Sequence, residues 1–146
     1  MVAFNKFFQF TEDLVGAVHK LNVGGAGPNV LKLLLTNVAP VQTNSVKANL
    51  TEIAAGNGYV AGGSAVANVD CQQVSGIAKL VGDDVVFTAS GGSIGPFRYV
   101  VLYNDTPTSP ADPLIGWWDY GSSITLANGL TFTVNLDQVL GILTVT

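Results

Sequence analysis

The chain has 146 residues, 48% of them apolar and only 11% charged, with six Lys and Arg against ten Asp and Glu for a formal charge of −4. Ordinary soluble domains carry about 25% charged residues, so a chain this poor in them either spans a membrane or has its surface covered by neighbours. The pI near 4.5 and the scatter of the basic residues over Lys6, Lys20, Lys32, Lys47, Lys79 and Arg98 exclude a nucleic-acid face, which needs clustered cations.

One domain is expected at this length. The single Cys71 rules out an internal disulfide and reads as a small apolar residue rather than a reactive thiol. The longest apolar runs, such as Leu33 to Leu35 and Tyr99 to Tyr103, fall far short of the roughly 20 residues of a membrane span. Glu12 and Asp13 interrupt the place where a signal peptide needs an apolar stretch. The chain is therefore expected to stay where it is made or to leave inside a larger particle, and the sequons at Asn49 and Asn104 read as chance.

In chain order, Phe4, Phe7, Phe8, Leu14, Val15, Val18 and Leu21 recur at helical spacing with polar residues between them. This predicts an amphipathic helix from about Ala3 to His19, within an N-terminal arm over 1–22. Gly24, Gly25, Gly27 and Pro28 stop it. From residue 30 to 146 the pattern is β. Val30 to Thr36 predicts a strand, Asn37 to Thr43 a loop, and Ser45 to Ile53 either a helical turn or a strand. Ala54 to Gly63 is a glycine-rich turn region. Val66 to Val74, Gly76 to Val81 and Val85 to Ser90 predict three further strands.

Phe97 to Asn104, rich in aromatic and β-branched residues, predicts a strong strand. Its alternation places Phe97, Tyr99, Val101 and Tyr103 on one face and Arg98, Val100 and Leu102 on the other. Asp105 to Pro113, with three prolines, is a loop. Leu114 to Tyr120 follows as a strand, then a Gly-Ser turn. Asn128-Gly129 between two alternating runs predicts a type I′ hairpin, and the final residues a last strand. About eight short strands favour a β-sandwich, of jelly-roll type, behind the N-terminal helix.

No catalytic constellation emerges. His19 is the only histidine and reads as a cation at a helix C-terminus. One His and one Cys do not make a zinc site, and Asp83-Asp84 reads as a solvated turn. Paired carboxylates for glycoside cleavage are not tied to one cleft, although Asp119, Glu52 and Asp105 are available. The glycine runs lack the Lys-Ser/Thr ending of a phosphate loop. No metal, cofactor or enzymatic activity is expected.

Trp117-Trp118-Asp119-Tyr120 is the most distinctive group. Neighbouring strand residues point to opposite faces, so one tryptophan is expected in the core and the other facing outward or toward a partner. The outward one suits a subunit contact or a sugar-stacking platform. Arg98, the only arginine, wants a carboxylate, with Asp119 or Asp105 as candidates. The candidate interface comprises Phe4, Phe7, Phe8, Arg98, Trp117, Trp118 and Tyr120.

The segments FNKFFQFTEDLVGAVHKL, VLKLLLTNVAPVQTNSVKANLTEIAAGNGY, TASGGSIGPFRYVVLYNDTP, PLIGWWDYGSSITLANGLTFTVNLD and GILTVT, in this order, resemble a group of small structural proteins of tailed bacteriophages, described as virion, head decoration or tail-fibre-like proteins. The resemblance extends over nearly the whole chain, is tightest over Leu31 to Tyr59 and Ile94 to Leu136, and is weakest over Ser64 to Val81. It implies a virion component, above all a capsid decoration or cement protein on the capsid surface, and supplies no catalytic residue. The expected partners are the major capsid protein and further copies of the chain as a homotrimer, with neither nucleic acid nor membrane. The alternative is a tail or head fibre module adhering to host glycan.

Overall fold

A computed structural model describes residues 2–22 and 28–146. The chain is mainly β, with 44% of residues in strands and 7% in helix. Among the described residues ten strands and one short α-helix follow in order: β1 (Phe4–Lys6), α1 (Gln9–Val15), β2 (Leu31–Thr36), β3 (Ser64–Ala65), β4 (Asp70–Val74), β5 (Ile77–Val81), β6 (Val85–Thr88), β7 (Ile94–Asn104), β8 (Leu114–Leu126), β9 (Thr131–Val134) and β10 (Leu143–Val145). All pairings are antiparallel. They form a five-stranded sheet in the order β1-β8-β7-β2-β3, a three-stranded sheet β10-β5-β4 and a two-stranded sheet β6-β9.

The position of β2, inside the large sheet between β7 and β3 and covered on both faces, explains its composition. Leu31, Leu33, Leu34 and Leu35 are all completely buried, and a strand covered on both faces has no use for polar alternation. Burying each contributes about 1.5–3 kcal/mol. Leu31, Leu33 and Leu35 point into the main core. There they meet Val100, Leu102 and Ile115 of the large sheet, together with Leu80, Val85, Phe87, Val134 and Ile142 of the smaller sheets and the segments beside them. This layering is compatible with a sandwich. On the opposite face a second cluster gathers Phe7, Leu34, Val101, Tyr103, Leu114 and Trp117, with Leu50 and Tyr99 against it.

The N-terminus departs from the helix predicted over Ala3 to His19. Phe4–Lys6 is an edge strand, with Phe4 opposite Trp118 and Lys6 opposite Gly116, and the helix covers only Gln9–Val15. The apolar spacing that suggests one helix serves two sheet faces instead. Phe4 packs on Trp118 with ring centroids 4.9 Å apart, and Phe7 on Trp117 at 4.5 Å. The arm is thus stitched to its own chain. Of the glycine loop expected to follow, residues 23–27 lie outside the described residues.

The predicted strands over Val30 to Thr36 and Val66 to Val81 have counterparts in β2, β4 and β5, and Ser45 to Ile53 contains a 3₁₀ turn at Lys47–Asn49. The β-strand read from Phe97 begins three residues earlier, at Ile94, and its alternation is interrupted. Register shifts around Phe97 and Tyr99 place Phe97 in the main core with Val100 and Leu102, while Tyr99 lies on the face of Val101 and Tyr103. Four residues of β8, 120–123, stand between the partners of Tyr99 and Phe97, which are Asp119 and Ile124. The Gly-Ser segment is therefore an outward bulge in a continuous thirteen-residue strand, not a turn between two.

The Asn128-Gly129 reading is corrected in the same way. A turn is present, closed by Leu130 N–H on the Ala127 carbonyl, but only Gly129 has positive φ, at 84°. That is the type II pattern rather than type I′. The flanking strands do not pair with each other: β8 stays with β7 and β1, and β9 pairs with β6. Asn128 Oδ1 accepts from Gly91 N–H at 2.9 Å and Gly129 N–H donates to the Ala89 carbonyl at 2.8 Å, so this turn docks on the β6 end and hands the chain from one sheet to another.

Candidate functional site

Val100, Trp118 and Phe4 are direct ladder partners across β7, β8 and β1. Directly opposite residues share a sheet face, so the three side chains form a row on the main-core side. At the margin of the sheet this row is left partly uncovered. It lines a groove of about 450 Å³ whose other wall is β9 and the chain after it. Phe132 and Tyr120 close the aromatic ring of the site, with centroids 5.7 Å apart, and Phe132 also meets Phe97 edge-on at 5.0 Å. Leu136, 1% exposed, lies at the bottom. The volume falls within the range of small-ligand clefts.

The polar end of the groove is Asn135 and Asp137, which also line an open acidic basin with Asp83, Asp84 and Gln138. These carboxylates hold the local loops. Asp84 Oδ1 accepts from Leu136 N–H at 2.8 Å, Asp137 Oδ1 from Val139 and Leu140 N–H at 2.8 Å, and Asp83 from Asn68 and Gln138 side chains at 2.6 Å. No group of three or more His, Cys, Asp or Glu among the described residues is placed to hold a metal ion.

The structure divides the seven candidate interface residues. Trp117, 8% exposed, and Phe7, fully buried, belong to the second core. Trp118 and Phe4 are half-buried against the main core and, with Tyr120, open onto the groove. Phe8 is 60% exposed elsewhere, its N–H bonded to the Gln42 carbonyl at 3.0 Å. Trp118 is the more exposed of the two tryptophans, but its ring lies on the main-core side of the sheet, so both pack on a core of the protein and neither points away from it. The sequence reading missed Phe132; its signal was the alternation of Thr131, Phe132, Thr133 and Val134, which sets Phe132 on the inward face.

Arg98 takes Asp119 as its partner, with Nε to Oδ1 at 2.7 Å and the terminal nitrogen to Oδ2 at 2.9 Å. Asp105 is occupied by Lys32 at 2.8 Å. The guanidinium carbon lies 5.3 Å from the centre of the Tyr99 ring, so the break in β7 brings Arg98 beside Tyr99 rather than to the opposite face. The fork geometry pulls the Asp119 carboxyl below its ordinary range, helped by Gly121 N–H, and pins the base of the 120–123 bulge.

His19 is not a helix-terminal cation. The helix ends at Val15, and His19 is 5% exposed, its ring 5.2 Å from that of Phe10. Burial lowers its pKa to about 4 despite the opposing pull of Asp13, so it is neutral at pH 7. Asn104 Nδ2 lies 3.1 Å from His19 Nδ1 and donates to Asn29 Oδ1 at 2.8 Å, while Asn104 Oδ1 accepts from Thr106 N–H. With the amide so oriented, Nδ1 is the acceptor and Nε2 carries the proton. Nε2 and Asp13 Oδ2 are buried without a hydrogen-bond partner.

No family model, curated protein or solved structure matches the chain.

Proposed function

We propose that the chain is a structural component of a phage virion, a capsid decoration or cement protein that stands on the capsid surface as a homotrimer and binds the major capsid protein. The observation that carries this reading is the character of the exposed surface. Val15, Val60, Val74, Phe8, Val139 and Leu140 are each at least 60% exposed on a chain with only 16 ionisable Asp, Glu, Lys and Arg residues. Covering such a surface removes little ionic hydration, and a standard stable interface needs about 800 Å² from each partner. The chain's own core is filled on both faces of the large sheet, so these side chains are free for contacts with neighbours. The resemblance of its segments to phage structural proteins points the same way. Heating particles with and without the protein tests the reading: a higher rupture temperature in its presence is expected, and equal temperatures count against it.

A second reading, an adhesion module for host glycan, is favoured by one observation. Trp118, Tyr120, Phe4 and Phe132 offer aromatic faces beside Asn135 and Asp137 in one groove. Glycan-array binding that disappears in Trp118→Ala would select it over the first.

A further inference from the structure

The groove is lined by three consecutive residues at its N-terminal side, 2–4, and by six consecutive residues, 132–137, the first three of them in β9. Side chains of a strand alternate between faces, so consecutive residues line one space only where the strand presents its edge. The β6–β9 ladder says which backbone groups lie on that edge. Ala89 N–H bonds the Leu130 carbonyl at 2.9 Å, and the register continues through Phe87–Phe132 and Val85–Val134. In an antiparallel pair, hydrogen-bonded and non-bonded positions alternate. Phe132 and Val134 therefore exchange bonds with β6, whereas the N–H and C=O of Thr131 and Thr133 point the other way. Among the described residues β9 pairs with no strand but β6.

We propose that this edge accepts an extended, apolar segment of another polypeptide carrying a basic residue at one end, which adds a third strand to β6–β9 and lies over the Phe4–Trp118–Val100 row. The proposal deepens the assembly reading by naming where and how a neighbour is held. Backbone groups of Thr131 and Thr133 supply the ladder, and the apolar row receives alternate side chains, as in strand addition generally. Charge selects the end. The C-terminal end of β9 runs into Asn135 and Asp137 beside Asp83 and Asp84. None of these three carboxylates has an ion pair, since the salt bridges of the described residues join Lys32 to Asp105, Lys47 to Asp112 and Arg98 to Asp119. The nearby Lys79 ammonium is engaged by the Val139 carbonyl at 2.8 Å. No Lys or Arg lines the groove.

The test uses the full chain and blocked heptapeptides alternating valine and threonine, with lysine at either end. Trp118 fluorescence and the amide signals of Thr131 and Thr133 report binding. One of the two lysine peptides is expected to bind, glutamate in place of that lysine to weaken binding several-fold, and N-methylation of alternate peptide amides to abolish it. Thr133→Pro, which removes one outward N–H at an exposed edge position, is expected to weaken binding at least tenfold, and Thr133→Ser to leave it unchanged. Absence of binding by either lysine peptide at about 1 mM, or binding indifferent to N-methylation, overturns the proposal even if Thr133→Pro fails to fold. Because no capsid is present, peptide binding without particle binding would sink the virion reading and leave this one standing, and the reverse pattern would do the opposite.

Discussion

Asn104 donates to His19 Nδ1 across 3.1 Å in a buried site, joining the segment after α1 to the end of β7. Protonating that nitrogen would set donor against donor. The unfolded histidine titrates near 6.5 and the folded one near 4. Between those values the unfolded chain binds more protons, so stability falls as pH falls through this window. The full gap corresponds to about 3 kcal/mol. Urea unfolding at pH 7 and pH 4 should show a loss of this order, and His19→Gln should flatten the dependence.

The two adjacent tryptophans should respond unequally to truncation. Trp117→Ala empties a site 8% exposed between Phe7 and Val101 and should cost about 3–5 kcal/mol. Trp118→Ala removes a half-buried ring and should cost about 1–2 kcal/mol. Denaturant midpoints at constant slope measure both.

Gly116 leaves room for the N-terminal strand. A Cβ there would overlap the Phe4 ring and stand 2.7 Å from the Asn5 carbonyl. Gly116→Ala should lift β1 from β8 while the β2–β7–β8 ladder persists. Hydrogen exchange checks this: faster exchange is expected at the amides of Phe4–Lys6, with protection of β2 unchanged.

Tyr59 bridges two segments through its hydroxyl, which donates to Glu52 Oε1 at 2.7 Å and accepts from Leu35 N–H at 3.0 Å. Burial and the neighbouring carboxylate push its ionisation far above the ordinary range. Tyr59→Phe leaves a buried N–H without an acceptor and should destabilise by about 1–3 kcal/mol, again read from the denaturant midpoint.

The fold class was legible because short apolar runs and aromatic and β-branched composition are local signals: β2 carries the first, without alternation, and β7 the second. What the sequence hid was partnership. Phe4 and Phe7 stand three apart, a spacing that fits a helix as well as a three-residue strand followed by a turn, and only the position of Trp117 and Trp118 in β8 decides between them. Asn128-Gly129 announces a turn truthfully, yet a turn motif does not say which strands flank it in a sheet. Parity sets the two tryptophans on opposite faces, but that both faces carry a core depends on segments distant in the sequence. The groove was illegible for the same reason. Its walls come from residues 2–4, Val100, Trp118, Tyr120, 132–137 and 141–142, and no spacing rule connects them.

The bulge at 120–123 gives this molecule an expansion joint. Asp119 is tied to Arg98 and to Gly121 N–H below it, and Ile124 resumes the ladder opposite Phe97 above it. Foreign residues grafted between Gly121 and Ser122 would extend into solvent without shifting either half of β8, because the register has already been reset there. The same position can carry a fluorophore or a dense label, so that the chain could be located on whatever larger body it joins.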